Sequence, residues 1–224
     1  MDKPYVVLHM MQSYDGRIDC AMLEGISGGE YYEALDELDC GATVEGSVTA
    51  RMHYARKGAF KASDPTPIGR VSFKKGAVQG KWRCTVDSKG TLLWRDGDAQ
   101  GRISLLSEDA PLEYARSLEA MGISWIAAGR GRVDLAKAME ILKREFGVKR
   151  VAIVGGGNVN GAFEAAGLID EYSFMTAPGI DGRRGFAASV DGIDPSRSDR
   201  PRALRLKSVK TCGRDVVWAR LTPA

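Results

Sequence analysis

Apolar positions along this chain follow two rhythms. Some short runs are apolar at nearly every residue: Tyr5–Met11, Val151–Val154 and Tyr172–Ala177. A strand with one wet face would alternate, so unbroken runs of this length predict strands covered on both sides. Further strands are predicted at Ala42–Glu45, Trp82–Val86, Gly101–Leu106 and Ser124–Ala128. Between them the period lengthens to that of a helix. Tyr31, Ala34, Leu35 and Leu38 share one face of Glu30–Leu38, and Leu135, Ala138, Met139 and Leu142 one face of Val133–Phe146, which Gly147 stops. Helices are also predicted at Val48–Arg56, at Pro111–Met121 with proline in its first turn, and at Val159–Ala166. Two last apolar segments, Ala203–Thr211 and Val216–Leu221, flank Cys212-Gly213-Arg214-Asp215, a hairpin signal. Strands alternating with helices predict one α/β domain, a largely parallel sheet with helices on both faces and an antiparallel C-terminal edge. Arg56–Arg83 and Gly182–Arg202 read as loops, the first either a solvated excursion or a basic lid over a phosphorylated substrate.

The chemistry concentrates where strands end. Val151-Ala152-Ile153-Val154 runs into Gly155, Gly156 and Gly157 and then a helix start at about Asn158. Glycines let a ligand approach the main chain closely, and the helix start presents unpaired N–H groups and the positive end of its dipole. That combination suits an anion, most often a nucleotide phosphate; the plain alternative is a tight turn that lets helix and strand pack. The spacing is not G-x-G-x-x-G, and no GK[ST] follows, so neither a Rossmann fingerprint nor a P-loop is present. A second turn of similar make, Gly46-Ser47-Val48-Thr49, follows the second strand, and the two turns together would hold two ends of one dinucleotide. Ser13 and Asp15 close the first strand, either as ordinary turn residues or at the mouth of a pocket. Ser88 and Lys89 end another strand, as a plain turn or as a grip on a 2′-phosphate that would favour NADPH over NADH.

Composition narrows the field. A chain of 224 residues, 44% of them hydrophobic, is long enough for a full core. A net charge of +3 is too slight to argue for nucleic acid, and no apolar run is long enough to span a membrane. Cys20, Cys40, Cys84 and Cys212 form no C-x-x-C pair and only His9 and His53 accompany them, so no metal site is expected; buried thiols in a reducing cytoplasm fit best. The scarcity of histidine and the lack of G-x-S-x-G exclude a serine hydrolase of the elbow type, and His9 reads as a core residue.

Three motifs carry a resemblance over about residues 4–222. Ser13-x-Asp15-Gly16-Arg17-Ile18 is similar to the S-L-D-G-x-I, and Gly46-x-x-Thr49 to the G-x-x-T, of the reductase (RibD C-terminal) domain of riboflavin-biosynthesis deaminase–reductases. The long stretch V-G-G-G-N-V-N-G-A-F-x-x-A-G-L-I-D-E, followed by A-P-x-x-x-G, resembles that family's E-G-G-x-x-L…L-V-D-E…A-P-x-x-x-G. The resemblance implies a dihydrofolate-reductase-like α/β/α fold, NADPH as cofactor and a homodimer. It also implies reduction of the ribosyl group of 5-amino-6-(5-phosphoribosylamino)uracil, a phosphoribosylated pyrimidine. On this footing Gly46, Ser47, Thr49 and Gly155, Gly156, Gly157, Asn158 and Val159 would hold the cofactor's phosphates, with Ser88 added from its strand-end position alone. Ser13 and Asp15 would border the nicotinamide and substrate as catalytic candidates. No deaminase zinc motif is found, so only the reductase half is expected.

Two departures stand out. Val154 occupies the position of the family's Glu before its glycines, and Thr49-Ala50-Arg51-Met52-His53-Tyr54-Ala55-Arg56 replaces an acidic D-D-P-x-L-x-x-R segment that serves the substrate's ribose phosphate. Arg51, Arg56 and the basic loop offer another route to a phosphate. Another small carbonyl or pterin-like substrate, or a nucleotide-binding module without catalysis, are the competing readings.

Overall fold

The computed structural model describes residues 2–76, 80–95, 100–196, 201–213 and 215–224. In chain order the elements are β1 (Tyr5–Gln12), α1 (Cys20–Ile26), α2 (Glu30–Glu37), β2 (Ala42–Gly46), α3 (Ser47–His53) and β3 (Ser72–Lys74). There follow β4 (Trp82–Val86), β5 (Arg102–Leu106), α4 (Leu112–Ala120), β6 (Ser124–Ala127) and α5 (Leu135–Phe146). The chain closes with β7 (Arg150–Ile153), α6 (Gly157–Ala165), β8 (Glu171–Thr176), β9 (Leu204–Cys212) and β10 (Val216–Pro223). They fall into two compact units, Met1–Pro4 with Gly41–Lys149 and Tyr5–Cys40 with Arg150–Ala224.

In the first unit, strand order is β3-β6-β5-β4-β2, parallel except that β3 runs antiparallel to β6 at the edge. Alternation sorts the side chains to two faces. Leu106, Trp125 and Ala127 join Tyr114, Ala115 and Leu118 of α4 and Ala50 of α3 in one cluster. Trp82, on the other face, meets Phe146 of α5 with ring centroids 5.1 Å apart. α5 shows why its sequence makes a helix there: Asp134 caps it by accepting from the Lys137 N–H at 2.9 Å, and Gly147 ends it at φ +71.

In the second unit the order is β7-β1-β8-β10-β9, with β7, β1 and β8 parallel and the last two strands an antiparallel hairpin. β1 is buried along six successive residues, as its unbroken apolar run predicts. Val7, Met11, Ala152, Met175 and Trp218 pack with Leu23 of α1 and with Ala34 of α2. His9 lies among them, fully buried and stacked on Tyr31 at 4.5 Å. Glu171 is also buried, at the start of β8. Burial pushes its carboxyl up, but hydrogen bonds from Arg220 and Lys207 outweigh that and hold it at about 2.

Three expectations need correction. α1 was not foreseen; its seven residues are too few to display a period, and only the capping Asp19, which accepts from the Ala21 N–H, marks it. Arg56–Arg83 is largely exposed up to residue 76, as a solvated excursion would be, but it is not structureless. It contains β3; Phe60 packs on Tyr114 at 5.0 Å, and the Ile68 and Gly69 N–H groups bond to the Ala110 and Glu108 carbonyls. Residues 77–79 of that loop, 197–200 of the later one and Arg214 of the hairpin turn lie outside the described residues. Of the four cysteines, Cys40 and Cys84 are buried but Cys20 is exposed and Cys212 half-buried, all with free thiols. No helix among the described residues is long and apolar enough to cross a membrane.

Candidate functional site

The candidate residues divide between the units: Gly46, Ser47, Thr49 and Ser88 belong to the first, and Ser13, Asp15 and Gly155–Val159 to the second. In the second, β1 ends at a turn bonded both within itself and to residues 179–189. Ser13 is fully buried; its hydroxyl donates to Asp15 Oδ1 at 2.6 Å and accepts from the Arg17 N–H at 3.0 Å. Asp15 also accepts from the backbone N–H groups of Asp181 and Gly182, at 3.0 and 2.9 Å. The Ser13 hydroxyl first, and those two amides next, hold the Asp15 carboxyl far below the ordinary range. Asp15 is therefore a carboxylate at neutral pH and holds no proton to give.

Those two amides begin a strap, residues 179–192, that runs from this turn to α6. The Tyr14 N–H bonds to the Gly179 carbonyl, Ile18 N–H to Ala187, and Ser189 N–H to Gly16. Farther along, Asn160 of α6 is fully buried and donates to the Ser189 carbonyl at 2.6 Å, while the Asp191 N–H bonds to the Gly157 carbonyl at 3.1 Å. A Cβ on Gly157 would run into the Ala188 carbonyl, and one on Gly161 into the Asp191 backbone. Both positions are glycine because the strap lies on the helix there.

The glycine turn thus answers two demands. Gly157 serves packing, which was the plain alternative. Gly155 takes φ +110, open to glycine and strained for any other residue, with Met10 Sδ 3.3 Å from where a Cβ would stand. The Gly155–Gly156 peptide is cis. Gly156 caps α6 without a side chain, and its carbonyl takes the Val159 and Asn160 N–H groups. The Gly157 and Asn158 N–H groups have no hydrogen bond among the described residues, and Asn158 is exposed. Val154 is half-buried against the apolar cluster and brings no polar group to the turn.

In the first unit, α3 starts at Gly46 with no side-chain cap. Ser47 and Thr49 are half-buried. Ser88 is turned into its own unit: its hydroxyl accepts from the Val133 N–H at 3.3 Å and its carbonyl from the Ser107 hydroxyl at 2.7 Å. Only its own O–H is left for a ligand. Arg51 is committed too, donating to the Gly58 carbonyl and to Thr91 Oγ1 at 3.1 and 2.7 Å. Sequence reasoning missed Glu45. It is buried at the end of β2, with Arg102 Nη1 at 3.8 Å and the Thr85 hydroxyl at 3.3 Å. Burial raises its carboxyl above the usual range, and Arg102, stacked 4.1 Å over Trp94, opposes that. A Glu inside an otherwise apolar strand was the available signal.

A parallel α/β framework with a C-terminal antiparallel hairpin is a dihydrofolate-reductase-like fold. The model of the RibD C-terminal domain matches residues 4–218, and the chain belongs to that family. It is 28% identical over 221 residues to the 2,5-diamino-6-ribosylamino-4(3H)-pyrimidinone 5′-phosphate reductase of Methanothermobacter thermautotrophicus, covering 96% of each chain. It is 24% identical to the reductase of that name from Aquifex aeolicus, covering 97% of this chain and 96% of that one. Acinetobacter baumannii RibD superposes with a TM-score of 0.71 at 20% identity over 100% of this chain; the chain spans 59% of that protein.

Proposed function

We propose that this protein is a pyrimidine reductase of riboflavin biosynthesis, acting as a single reductase domain on a phosphoribosylaminopyrimidine. The observation that carries the reading is the match of nearly the whole chain, end to end, to reductases of that activity. Their substrate is the diamino-pyrimidinone, whereas the motif resemblance alone had suggested the deaminated uracil. The diamino compound is accordingly the first substrate to try.

The residues fit a nicotinamide nucleotide. The α6 start, where the Gly157 and Asn158 N–H groups have no hydrogen bond among the described residues, and the α3 start at Gly46 with Ser47 and Thr49 are each, taken alone, suited to a phosphate. Val159 would flank them, and Ser88 with its remaining O–H, next to Lys89, would favour NADPH through the 2′-phosphate. Bound there, the cofactor would supply the hydride for reduction of the ribosyl carbon to ribityl. The chain's own part is positional. Ionised Asp15 holds Ser13 and the strap in one arrangement, and because the one Ser13 O–H is donated to Asp15, the proton that balances the hydride comes from solvent.

The test is titration with NADPH and with NADH, then cofactor oxidation with the diamino-pyrimidinone phosphate and with its uracil counterpart. Tighter NADPH binding and turnover of the diamino compound are expected. Turnover of the uracil alone would refute the substrate reading, and binding without turnover of either would leave a nucleotide-binding module.

A further inference from the structure

The turn after β1 and the strap against it carry four acids and three arginines, and each acid already has partners, Asp191 accepting from the Gly192 and Ala188 N–H groups. Asp15 is held by Ser13 and two strap amides. Asp181 and Asp19 both bond to Arg183, at 2.5 Å each, and Asp19 also caps α1. Arg183 is thereby neutralised, and it lies 3.8 Å over the Phe186 ring.

Two guanidinium groups remain with no carboxylate on them among the described residues. Arg17 donates through Nη1 to the Phe186 carbonyl at 2.6 Å, while its Nε is buried with no hydrogen-bond partner. That donor is sequestered, and the Nη groups are the part of Arg17 left to meet a ligand. Arg184 is exposed and stands between Arg183 and Gly185 at the strap tip, two residues from the carbonyl that Arg17 holds. Gly182 at φ +67 and Gly185 at φ +84 have nothing within 4 Å of a Cβ, so they turn the chain here rather than serve packing. Two arginines on adjoining segments, one on the β1 turn and one on the strap bridged to it, suit a phosphate monoester, whose oxygens accept from guanidinium forks.

We propose that Arg17 and Arg184 bind the phosphate of the substrate. The inference rests on the phosphoribosylated substrate proposed above. It answers a gap left by the sequence: the family's phosphate-binding segment is absent, and Arg51, one of its replacements, is held through both Nη groups by Gly58 and Thr91. Arg56 is the remaining rival.

Ribose 5-phosphate is the probe, with ribose as control, by calorimetric titration of the full chain. Arg184→Glu is the decisive variant, because no contact among the described residues depends on that side chain. It should weaken ribose 5-phosphate about tenfold or more, leave cofactor affinity unchanged, and raise KM for the phosphorylated pyrimidine with kcat held. Arg17→Lys, which keeps the charge but loses the fork, should weaken the same probe by less. Loss with Arg56→Glu but not with Arg184→Glu would overturn the proposal, as would failure of the wild type to bind ribose 5-phosphate at all. Binding that depends on Arg184 without any turnover would uphold this site and refute the reductase reading; turnover with an unchanged KM in Arg184→Glu would do the reverse.

Discussion

His9 provides a stability measurement whose sign and size follow from its surroundings. Its Nε2 lies 3.1 Å from the Tyr31 carbonyl, which can only accept, so Nε2 carries the proton. Nδ1 then accepts from the Ser173 hydroxyl at 2.9 Å, and that oxygen in turn accepts from Trp218 Nε1 at 2.8 Å. A second proton on the ring would break this chain inside an apolar cluster. Burial therefore lowers the His9 pKa from 6.5 to about 4, against the opposing pull of its two hydrogen bonds. Above pH 6.5 the ring is neutral in both folded and unfolded chains. Between 6.5 and about 4 the unfolded chain takes up a proton that the folded one refuses, so stability falls as pH falls through that window. A shift of that size is worth about 3 kcal/mol. His9→Gln keeps a donor and an acceptor and does not titrate. Urea unfolding from pH 7 to pH 4 should show the wild type losing about 3 kcal/mol more than His9→Gln. Parallel stability curves for the two proteins would refute the assignment.

Asp15→Asn should lower kcat about tenfold or more while leaving the cofactor Kd nearly unchanged, because an amide cannot accept from Ser13, Asp181 and Gly182 together and the strap loosens; equal loss in both constants would contradict this. Since Asp15 stays ionised above the ordinary carboxylate range, kcat should also show no limb between pH 5 and 8 that disappears in this variant. Arg220→Met removes one of the cations on buried Glu171, whose remaining partners are Lys207, Tyr5 and Arg150. A loss of about 2 kcal/mol by urea unfolding is expected, below the cost of stripping a buried charge completely; no loss would mean that the remaining partners suffice.

Much of the framework was legible because its signals are local. Trp82–Val86 is a strand with the predicted ends, and Glu30–Leu38 and Val133–Phe146 are helices within a residue or two of theirs. The hairpin of β9 and β10 was also plain. β3 hid because three residues in a Lys- and Gly-rich stretch show no alternation, and only its pairing with β6 makes it a strand. The site was legible in its residues but not in their partners. Nothing near Asp15 in sequence announces that residues 181 and 182 donate to it, and nothing near Arg17 announces Phe186. Glu45 and Arg102 likewise meet across β4, through sheet register that no local spacing encodes.

The glycines around α6 show how one motif can carry two unrelated requirements, and they can be separated by experiment. At Gly161 a methyl group would run into the Asp191 backbone, which cannot swing aside as a side chain would. Alanine is the better helix former by about 1 kcal/mol, yet overpacking against fixed backbone costs about 1–3 kcal/mol. The strap is the side expected to yield. Gly161→Ala should therefore lower stability and disturb the turn at Asp15 through the strap, with cofactor affinity less affected. Gly156 differs: φ −76 and ψ −172 are open to any residue, so Gly156→Ala should fold with little loss. Its methyl would stand at the cap of α6, where the proposed phosphate approaches, and cofactor affinity should fall about tenfold. Thermal melting and NADPH titration of both variants give the comparison. If Gly156→Ala binds NADPH as the wild type does, the bare cap is only a turn, and the phosphate reading of this stretch fails while the packing reading stands.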